Sequence, residues 1–146
     1  MRKMWFGLLA GLAIGMASAQ TAMPTIELTA GFHRIEAEVA ANDQARQTGL
    51  MNRKAMPQQH GMLFVFSRPD TYCMWMRNTY IPLSVAFIDD DGIIINIEDM
   101  QPQTENNHCA RKPARFALEM NAGWFAQRGL KPGTKLGGID KAPRGQ

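Results

Sequence analysis

Short apolar segments, each bounded by turn-forming residues, restrict this chain to a fold rich in β-strands. Residues 32 to 40 alternate between apolar and polar side chains, the period-two pattern of a strand with one buried face. Residues 62 to 66 are all apolar, which indicates a strand buried on both faces. Further strands are predicted at 72–76, 83–88, 93–97, 114–120 and near 135–136. We therefore expect a mainly β fold, a small antiparallel sandwich or barrel.

Two short helices are predicted between these strands. Asn42 suits the N-cap of a helix over residues 43 to 48, and Gly49 suits the left-handed residue that ends such a helix. Asn121 is similarly placed to cap a second helix that runs to Gly129. The expected fold class is thus a β sandwich or barrel with two short helices.

The N-terminus has the three parts of a secretory signal peptide. Arg2 and Lys3 form a positive region, residues 4 to 16 are mostly apolar, and Ala17-Ser18-Ala19 is a small-residue cleavage site. The apolar stretch is shorter than the roughly 20 residues that cross a bilayer as a helix. We therefore predict cleavage between Ala19 and Gln20, no membrane span afterwards, and a product in the periplasm or outside the cell.

After this cleavage the chain is close to electrically neutral. Arg2 and Lys3 leave with the signal, so the formal charge falls from +3 to +1, and no basic run interleaved with aromatic residues remains. Nucleic acid is therefore not an expected partner. Residues 20 to 146 match the size of one domain, which we expect to be a monomer with its core between about 26 and 139. The polar tail at 140–146 is predicted to be disordered.

Cys73 and Cys109 are the two cysteines of the chain. An even number of cysteines in an exported protein favours a disulfide. A bridge between Cys73 and Cys109 would close a loop of about 36 residues and contribute roughly 4 kcal/mol to stability. Two buried thiols or a redox pair are the alternatives, although a redox site more often has the Cys-x-x-Cys spacing.

Motifs along most of the chain resemble those of one protein family. They are Gly49-Leu50-Met51 with Arg53, Gly61-Met62-Leu63-Phe64 with Phe66, Trp75-Met76, Asn78-Thr79, Pro82-Leu83, and Leu118-Glu119 with Asn121 and Gly123. From about residue 26 to residue 139 the chain resembles the bacterial and archaeal family known as domain of unknown function 192. The resemblance implies a compact β fold with small helices and frequent export, and it implies no particular activity.

One position departs from the pattern of that family. The family often has Asp directly after the Pro-Leu pair, whereas this chain has Ser84. A mechanism that needs a carboxylate at this position therefore does not carry over to this protein.

The segment around Trp75 holds most of the candidate binding residues. A disulfide would place the loop at 101–113 over the face of the strand that carries Trp75. Trp75, Asn78, Thr79 and Arg53 would then form a small cleft with an aromatic floor and amide donors, suited to a sugar or another small polar molecule. The alternative is that Trp75 belongs to the core and that Asn78-Thr79 satisfies its own turn.

Glu119 is a candidate because apolar residues surround it in the strand predicted at 114–120. A buried carboxylate either has a raised pKa or pairs with a cation, here Arg53, Arg77 or Arg115. An ion pair would make Glu119 structural. Without one, Glu119 is a candidate ligand-binding or acid/base group.

Soft ligands for Cu(I) form a third candidate site. Met74, Met76, Met100 and His108 could in principle supply thioether and imidazole ligands, and Met74 and Met76 share one face of their strand. Methionines that alternate on a strand are usually core residues, however. No Gly-x-Ser-x-Gly or His-Glu-x-x-His motif is present in the sequence, and no cofactor is expected.

Three hypotheses for function result. The first is a non-catalytic, exported binding or accessory domain for a small polar ligand such as a sugar, or for another cell-envelope component. The second is a cell-envelope hydrolase that uses Glu119 as its acid or base, and the third is a Cu(I)-handling protein. A deep pocket with Glu119 exposed inside it would favour the enzyme, whereas a shallow surface with Glu119 paired to arginine would favour binding or a structural role.

Overall fold

The computed structural model describes residues 22–146, so the predicted signal peptide at 1–19 and its cleavage site lie outside the described residues. Within the described part the elements are β1 (Thr25–Ala30), β2 (His33–Ala40), α1 (Asp43–Thr48), β3 (His60–Asp70), β4 (Cys73–Met74), β5 (Leu83–Ile88), β6 (Ile94–Met100), β7 (His108–Cys109), β8 (Ala114–Asn121), α2 (Trp124–Gln127), β9 (Leu136–Gly137) and a 3₁₀ helix (Ile139–Lys141). The prediction of a mainly β chain with two short helices is confirmed.

Seven strands form one curled sheet, a half-barrel, in the order β6-β5-β8-β3-β2-β1-β9. Strands β4 and β7 form a separate antiparallel pair. Strands β2 and β3 pair in parallel, which differs from an all-antiparallel arrangement. The chain between them contains α1 and a long turn, and a parallel pair needs a crossover of about a dozen residues or more. The crossover places α1 beside the sheet.

Apolar side chains cover both faces of the sheet. Strand β5 is buried along its whole length, and alternate residues of a strand point to opposite faces. The cluster on one face, here called the α2 face, includes Leu118 and Trp124. The cluster on the other face, called the α1 face, includes Phe64 and Val85, and Ala45 of α1 packs against it. The candidate site lies on the α1 face.

The first helix begins and ends where its sequence predicts. The side chain of Asn42 accepts a hydrogen bond from the N–H of Ala45 at 2.8 Å, and Gly49 ends the helix with a φ of 46°. The second helix is shorter than predicted, and its N-cap is Gly123 rather than Asn121. Asn121 instead ends β8, and its side-chain amide donates to the carbonyl of Met56 at 2.9 Å. None of the helices between residues 22 and 146 is long and apolar enough to cross a membrane.

A disulfide joins Cys73 to Cys109, so the predicted bridge is confirmed. Both cysteines are exposed, and the bridge fastens the loop at 101–113 to the β4 segment at the protein surface. The buried side chain of Asn96 in β6 accepts a hydrogen bond from the N–H of Arg111 and donates to the carbonyl of Cys109. This loop therefore covers part of the β6 edge, and covered edges do not pair with other chains.

The polar composition of residues 140–146 favours disorder, whereas the structure places this tail against the sheet. The N–H of Gln146 donates to the carbonyl of Ala41 at 2.7 Å, and the guanidinium of Arg46 donates to the carbonyl of Gln146. These partners are about a hundred positions away in sequence. Composition cannot reveal hydrogen bonds to such distant groups.

Candidate functional site

A cavity of about 540 Å³ lies between α1, the β4 segment and the α1 face of the sheet. This size falls within the roughly 300 to 1,000 Å³ of typical small-molecule sites. The lining is mixed: aromatic and aliphatic side chains surround a few polar ones. The lining includes Asp43, Arg46, Gln47, Thr48, Met51, Phe64, Phe66, Arg68, Tyr72, Cys73, Met74, Trp75, Thr79 and Glu119.

Glu119 is the buried acid of this cavity. It lies in β8 directly between Met62 of β3 and Val85 of β5, so its carboxyl is enclosed by apolar neighbours. Only 4% of the residue is exposed, and it lines the cavity. Burial raises the pKa of Glu119 from 4.5 to about 8, because the apolar surroundings disfavour the charged form. At neutral pH the carboxyl is therefore mainly protonated, and it can donate as well as accept a hydrogen bond.

The cations predicted to pair with Glu119 lie elsewhere. Across residues 22–146, no hydrogen bond or ion pair reaches the Glu119 carboxyl. The three arginines pair with other acids: Arg53 with Glu38 at 2.6 Å, Arg77 with Glu105 at 3.6 Å, and Arg115 with Asp90 at 2.8 Å. The ion-pair interpretation of Glu119 is thus wrong, and this carboxyl is left without a partner from the described chain.

Trp75 stands at the edge of the cavity and is not a core residue. Strand β4 ends at Met74, one residue before Trp75, whose side chain is 44% exposed. Met76, the next residue, is fully buried, so the chain still alternates here between a surface and a core position. Trp75 also borders a second hollow of about 490 Å³. The structure therefore agrees with the interpretation in which Trp75 borders a cleft, and not with the one in which Trp75 belongs to the core.

Asn78 and Thr79 lie on different parts of this cleft. Thr79 is buried and lines the main cavity, and its hydroxyl donates to the carbonyl of Arg77 at 3.0 Å. Asn78 lines the second hollow and has a left-handed backbone with a φ of 51°. Its carbonyl accepts a hydrogen bond from the N–H of Asn52 at 2.9 Å. Thr79 thus stabilises its own turn, Asn78 holds the distant turn at Asn52, and both residues line the cleft.

Arg53 does not join the candidate site. Its guanidinium is held by Glu38, and Arg53 borders neither hollow. Arg53 was predicted to form the cleft with Trp75. The residues that line both hollows with Trp75 are instead Gln47 and Thr48 of α1 and Met51.

Several lining residues were not identified from the sequence. Tyr72 stacks on Phe66 with ring centroids 3.7 Å apart, which builds an aromatic wall between β3 and the β4 segment. Arg46 donates to the carbonyls of Ala41 and Val65 and fixes α1 to the sheet. Polar residues in short helices and aromatic residues in or near strands are common. The local sequence therefore does not show that Arg46, Phe66 and Tyr72 line a cavity.

The residues predicted as Cu(I) ligands lie in the core and in the pair formed by β4 and β7. Met76 and Met100 are fully buried in the apolar α1 face, and Met74 is paired in register with His108 across β4 and β7. A ring nitrogen of His108 lies 3.2 Å from the side-chain amide of Asn106. In the described part of the chain, no group of three or more His, Cys, Asp or Glu side chains could hold a metal ion.

Ser84, where the family often has Asp, directly precedes Val85 in β5, so its side chain points to the opposite face of the sheet. Its hydroxyl donates to the carboxylate of Asp99 at 2.5 Å and accepts from the N–H of Gly123 at 2.9 Å. Asp99 on the neighbouring strand thus brings a carboxylate to this place. Ser84 is structural here and does not reach the cavity.

These features define a small half-barrel domain with a surface disulfide and a mixed polar and apolar cavity beside α1. The chain belongs to the family DUF192, described as an uncharacterized ACR, whose family model matches residues 25–138. The family resemblance seen in the sequence motifs is therefore confirmed. No curated protein matches the chain significantly.

Two crystal structures share this fold. One is a protein of Sinorhizobium meliloti 1021 proposed to be a transcription regulator, with 36% identity and a TM-score of 0.77 over 82% of this chain and 97% of that protein. The other is a protein of unknown function from Novosphingobium aromaticivorans DSM 12444, with 32% identity and a TM-score of 0.76 over 88% of this chain and 93% of that protein. The fold and the family are thus established.

Proposed function

We propose that this protein is a binding domain for a small, polar, uncharged molecule such as a sugar, held in the cavity beside α1. Glu119 is the observation that supports this proposal most directly. This buried residue lines the cavity, and its carboxyl has no hydrogen-bond or ion-pair partner among residues 22–146. A ligand hydroxyl that enters the cavity can bond to this carboxyl, which accepts and, when protonated, also donates.

The lining suits a molecule with one apolar and one polar side. A sugar ring presents C–H groups on its faces and hydroxyls around its edge. Trp75 and Tyr72 offer aromatic surface, while Glu119, Thr48 and Gln47 offer groups that donate and accept hydrogen bonds. This combination of a few polar groups in an aromatic cavity is typical of small-molecule sites.

The charge of the cavity favours an uncharged ligand. Asp43 and Arg46 both line it, but they pair with each other at 2.6 Å. Glu119 is mainly protonated at neutral pH because its pKa is near 8. Arg68, which is exposed at the rim, is then the one lining residue whose charge is not offset within the described chain.

Export is part of the proposal. The disulfide Cys73–Cys109 fits a periplasmic or extracellular protein, since reducing compartments keep thiols free. The signal-like residues 1–19 agree with that location. Cell-envelope sugars are then the first molecules to test.

A thermal-shift screen of the oxidised protein against neutral mono- and disaccharides tests this function. A ligand should raise the unfolding midpoint of the wild type, because it binds the folded state. Trp75→Ala should abolish this shift, whereas Tyr80→Ala should retain it. Tyr80 is a matched control, since it is 53% exposed and borders neither hollow. Equal shifts in both variants, or no shift with any saccharide, would refute the proposal.

Hydrolysis is the second candidate, and Glu119 favours it. A carboxylic acid with a pKa near 8 is protonated at neutral pH and can act as a general acid. Glycoside hydrolysis also needs a second carboxyl as base or nucleophile. The other acid that lines the cavity, Asp43, is bound to Arg46, so binding without turnover is the better supported function. Release of reducing sugar by the wild type and not by Glu119→Gln would make hydrolysis the better supported function.

A further inference from the structure

We infer that the ligand is a linear, uncharged saccharide of at least two rings, which lies across Trp75 from the main cavity into the second hollow. This inference rests on the proposed function, because it names the class of ligand for the same site.

The two hollows are parts of one cleft. They share four lining residues: Gln47, Thr48, Met51 and Trp75. The volumes of about 540 and 490 Å³ are similar, and each is large enough for one ring with its substituents. Trp75 therefore stands where two adjoining units of a ligand would meet, and an exposed indole at that point can contact both.

The far hollow carries its own polar groups. It adds Arg77 and Asn78 to the shared residues. The backbone of Asn78 is fixed by the hydrogen bond from Asn52, but no hydrogen bond within residues 22–146 involves its side-chain amide. Such an amide is available to donate to one ligand oxygen and to accept from a hydroxyl. A ligand rich in hydroxyl groups can both accept a hydrogen bond from this amide and donate one to it.

The charges along the cleft fit an uncharged chain of sugars better than an ionic polymer. The Arg77 guanidinium lies 5.5 Å from the centre of the Trp75 ring and 3.6 Å from Glu105, so its charge is partly offset. Asp43 and Arg46 offset each other at the opposite end. A polyanion would need several free cations, and the described lining provides only Arg68 without a paired acid.

Titration calorimetry with two series of saccharides tests the inference. The probes are glucose and N-acetylglucosamine, each as the monomer and as the β-1,4-linked dimer and trimer, with the oxidised full chain. We expect the dimer or trimer of at least one series to bind 10-fold or more tighter than its monomer. Asn78→Gly should remove that gain and leave the affinity for the monomer within about 2-fold.

Asn52→Gly is the matched control for this variant. Both asparagines have positive φ, 63° for Asn52 and 51° for Asn78, so glycine preserves either backbone, and Asn52 borders neither hollow. Asn52→Gly should keep the gain with ligand length. A far-ultraviolet spectrum and an unfolding midpoint within a few degrees of the wild type establish that each variant is folded.

The outcomes separate the inference from the function on which it rests. Equal affinity for monomer and trimer would overturn the two-ring ligand and leave a single-ring site. A length-dependent gain that survives Asn78→Gly would also overturn the inference, because the ligand would then extend in another direction. Failure of every saccharide to bind the wild type would overturn the proposed function together with the inference.

Discussion

Cys73 and Cys109 face each other in the two-stranded pair formed by β4 and β7, and a disulfide joins them. Cys73 also lines the main cavity, two residues before Trp75. The bridge thus connects the loop at 101–113 with the segment that forms one wall of the cleft. Loss of the bridge is expected to affect both stability and the cleft.

Reduction of the disulfide should lower the free energy of unfolding by about 4 kcal/mol, because the bridge closes a loop of 36 residues in the unfolded chain. The measurement is urea unfolding of the wild type with and without dithiothreitol. The double variant Cys73→Ser/Cys109→Ser provides the control, since reductant should not change its midpoint. Unchanged stability of the reduced wild type would contradict this prediction.

Glu119 should make the protein less stable as pH rises from about 4.5 to 8. The pKa is about 8 in the folded protein and 4.5 in the unfolded reference, so between these values the folded state binds more protons. The free energy of unfolding then falls with rising pH, by an amount on the order of a few kcal/mol, and levels off above pH 8.

Glu119→Gln tests this dependence because glutamine has nearly the same shape and does not titrate. Relative to the wild type, the variant should gain stability between pH 5 and pH 9 in denaturant titrations. The difference between the two proteins isolates Glu119 from all other titrating groups. Parallel stability curves for wild type and variant over this pH range would show that Glu119 has an ordinary pKa.

Binding of a neutral saccharide should weaken as pH rises through about 8. The protonated carboxyl of Glu119 donates to a ligand oxygen, and this donor is lost on ionisation. Calorimetry at pH 6.5 and 9.5 should give an affinity at least several-fold lower at the higher pH, and Glu119→Gln should remove this dependence. Tighter binding at pH 9.5 would contradict this prediction, because the ionised carboxylate would then accept hydrogen bonds from the ligand hydroxyls.

Truncation of the adjacent residues Trp75 and Met76 should lower stability by different amounts. Met76 is fully buried in the α1 face, so Met76→Ala should cost about 2 to 5 kcal/mol of unfolding free energy. Trp75 is 44% exposed, so Trp75→Ala should cost only about 1 kcal/mol. Chemical denaturation of both variants measures the two values. A larger loss for Trp75→Ala would mean that Trp75 belongs to the core in solution.

Arg46→Met should destabilise the protein by about 1 to 3 kcal/mol, because it leaves the carbonyls of Ala41 and Val65 without their donor. The side chain of Arg46 is only 14% exposed, so water replaces these hydrogen bonds poorly. Asp43→Asn is the control: Asp43 is almost fully exposed, and its loss of charge should cost less than about 1 kcal/mol. Similar losses in both variants would assign the effect to the ion pair instead.

Much of the fold is predictable because its signals are local. Asn42 and Gly49 bound α1 as expected, since a side-chain cap and a left-handed terminus each depend on a few neighbouring residues. The end of β8 was predicted less well. Asn121 has the residue type of a cap, but the carbonyl of Met56, far away in sequence, binds its amide and keeps it in the strand.

The candidate site was only partly predictable, for the same reason. Trp75, Asn78 and Thr79 were identified from one short segment, and they do line the cleft. Arg53 was also predicted in the cleft, but Glu38 on β2 holds its guanidinium elsewhere. No local pattern distinguishes an arginine that reaches a cavity from one that is paired beside it.

The sequence by itself determined the mainly β class, the two helices and the family, because strand periodicity, capping residues and family motifs are local signals. It also determined the pairing of the cysteines, because two cysteines allow only one intramolecular disulfide. The tertiary structure alone decided that β2 and β3 run parallel, and that Glu119 lies between Met62 and Val85 without an ion pair to any of residues 22–146. Strand order and the distance between charges depend on how remote segments pack. The solvation of Glu119, and with it the chemistry of the cavity, follows from that packing.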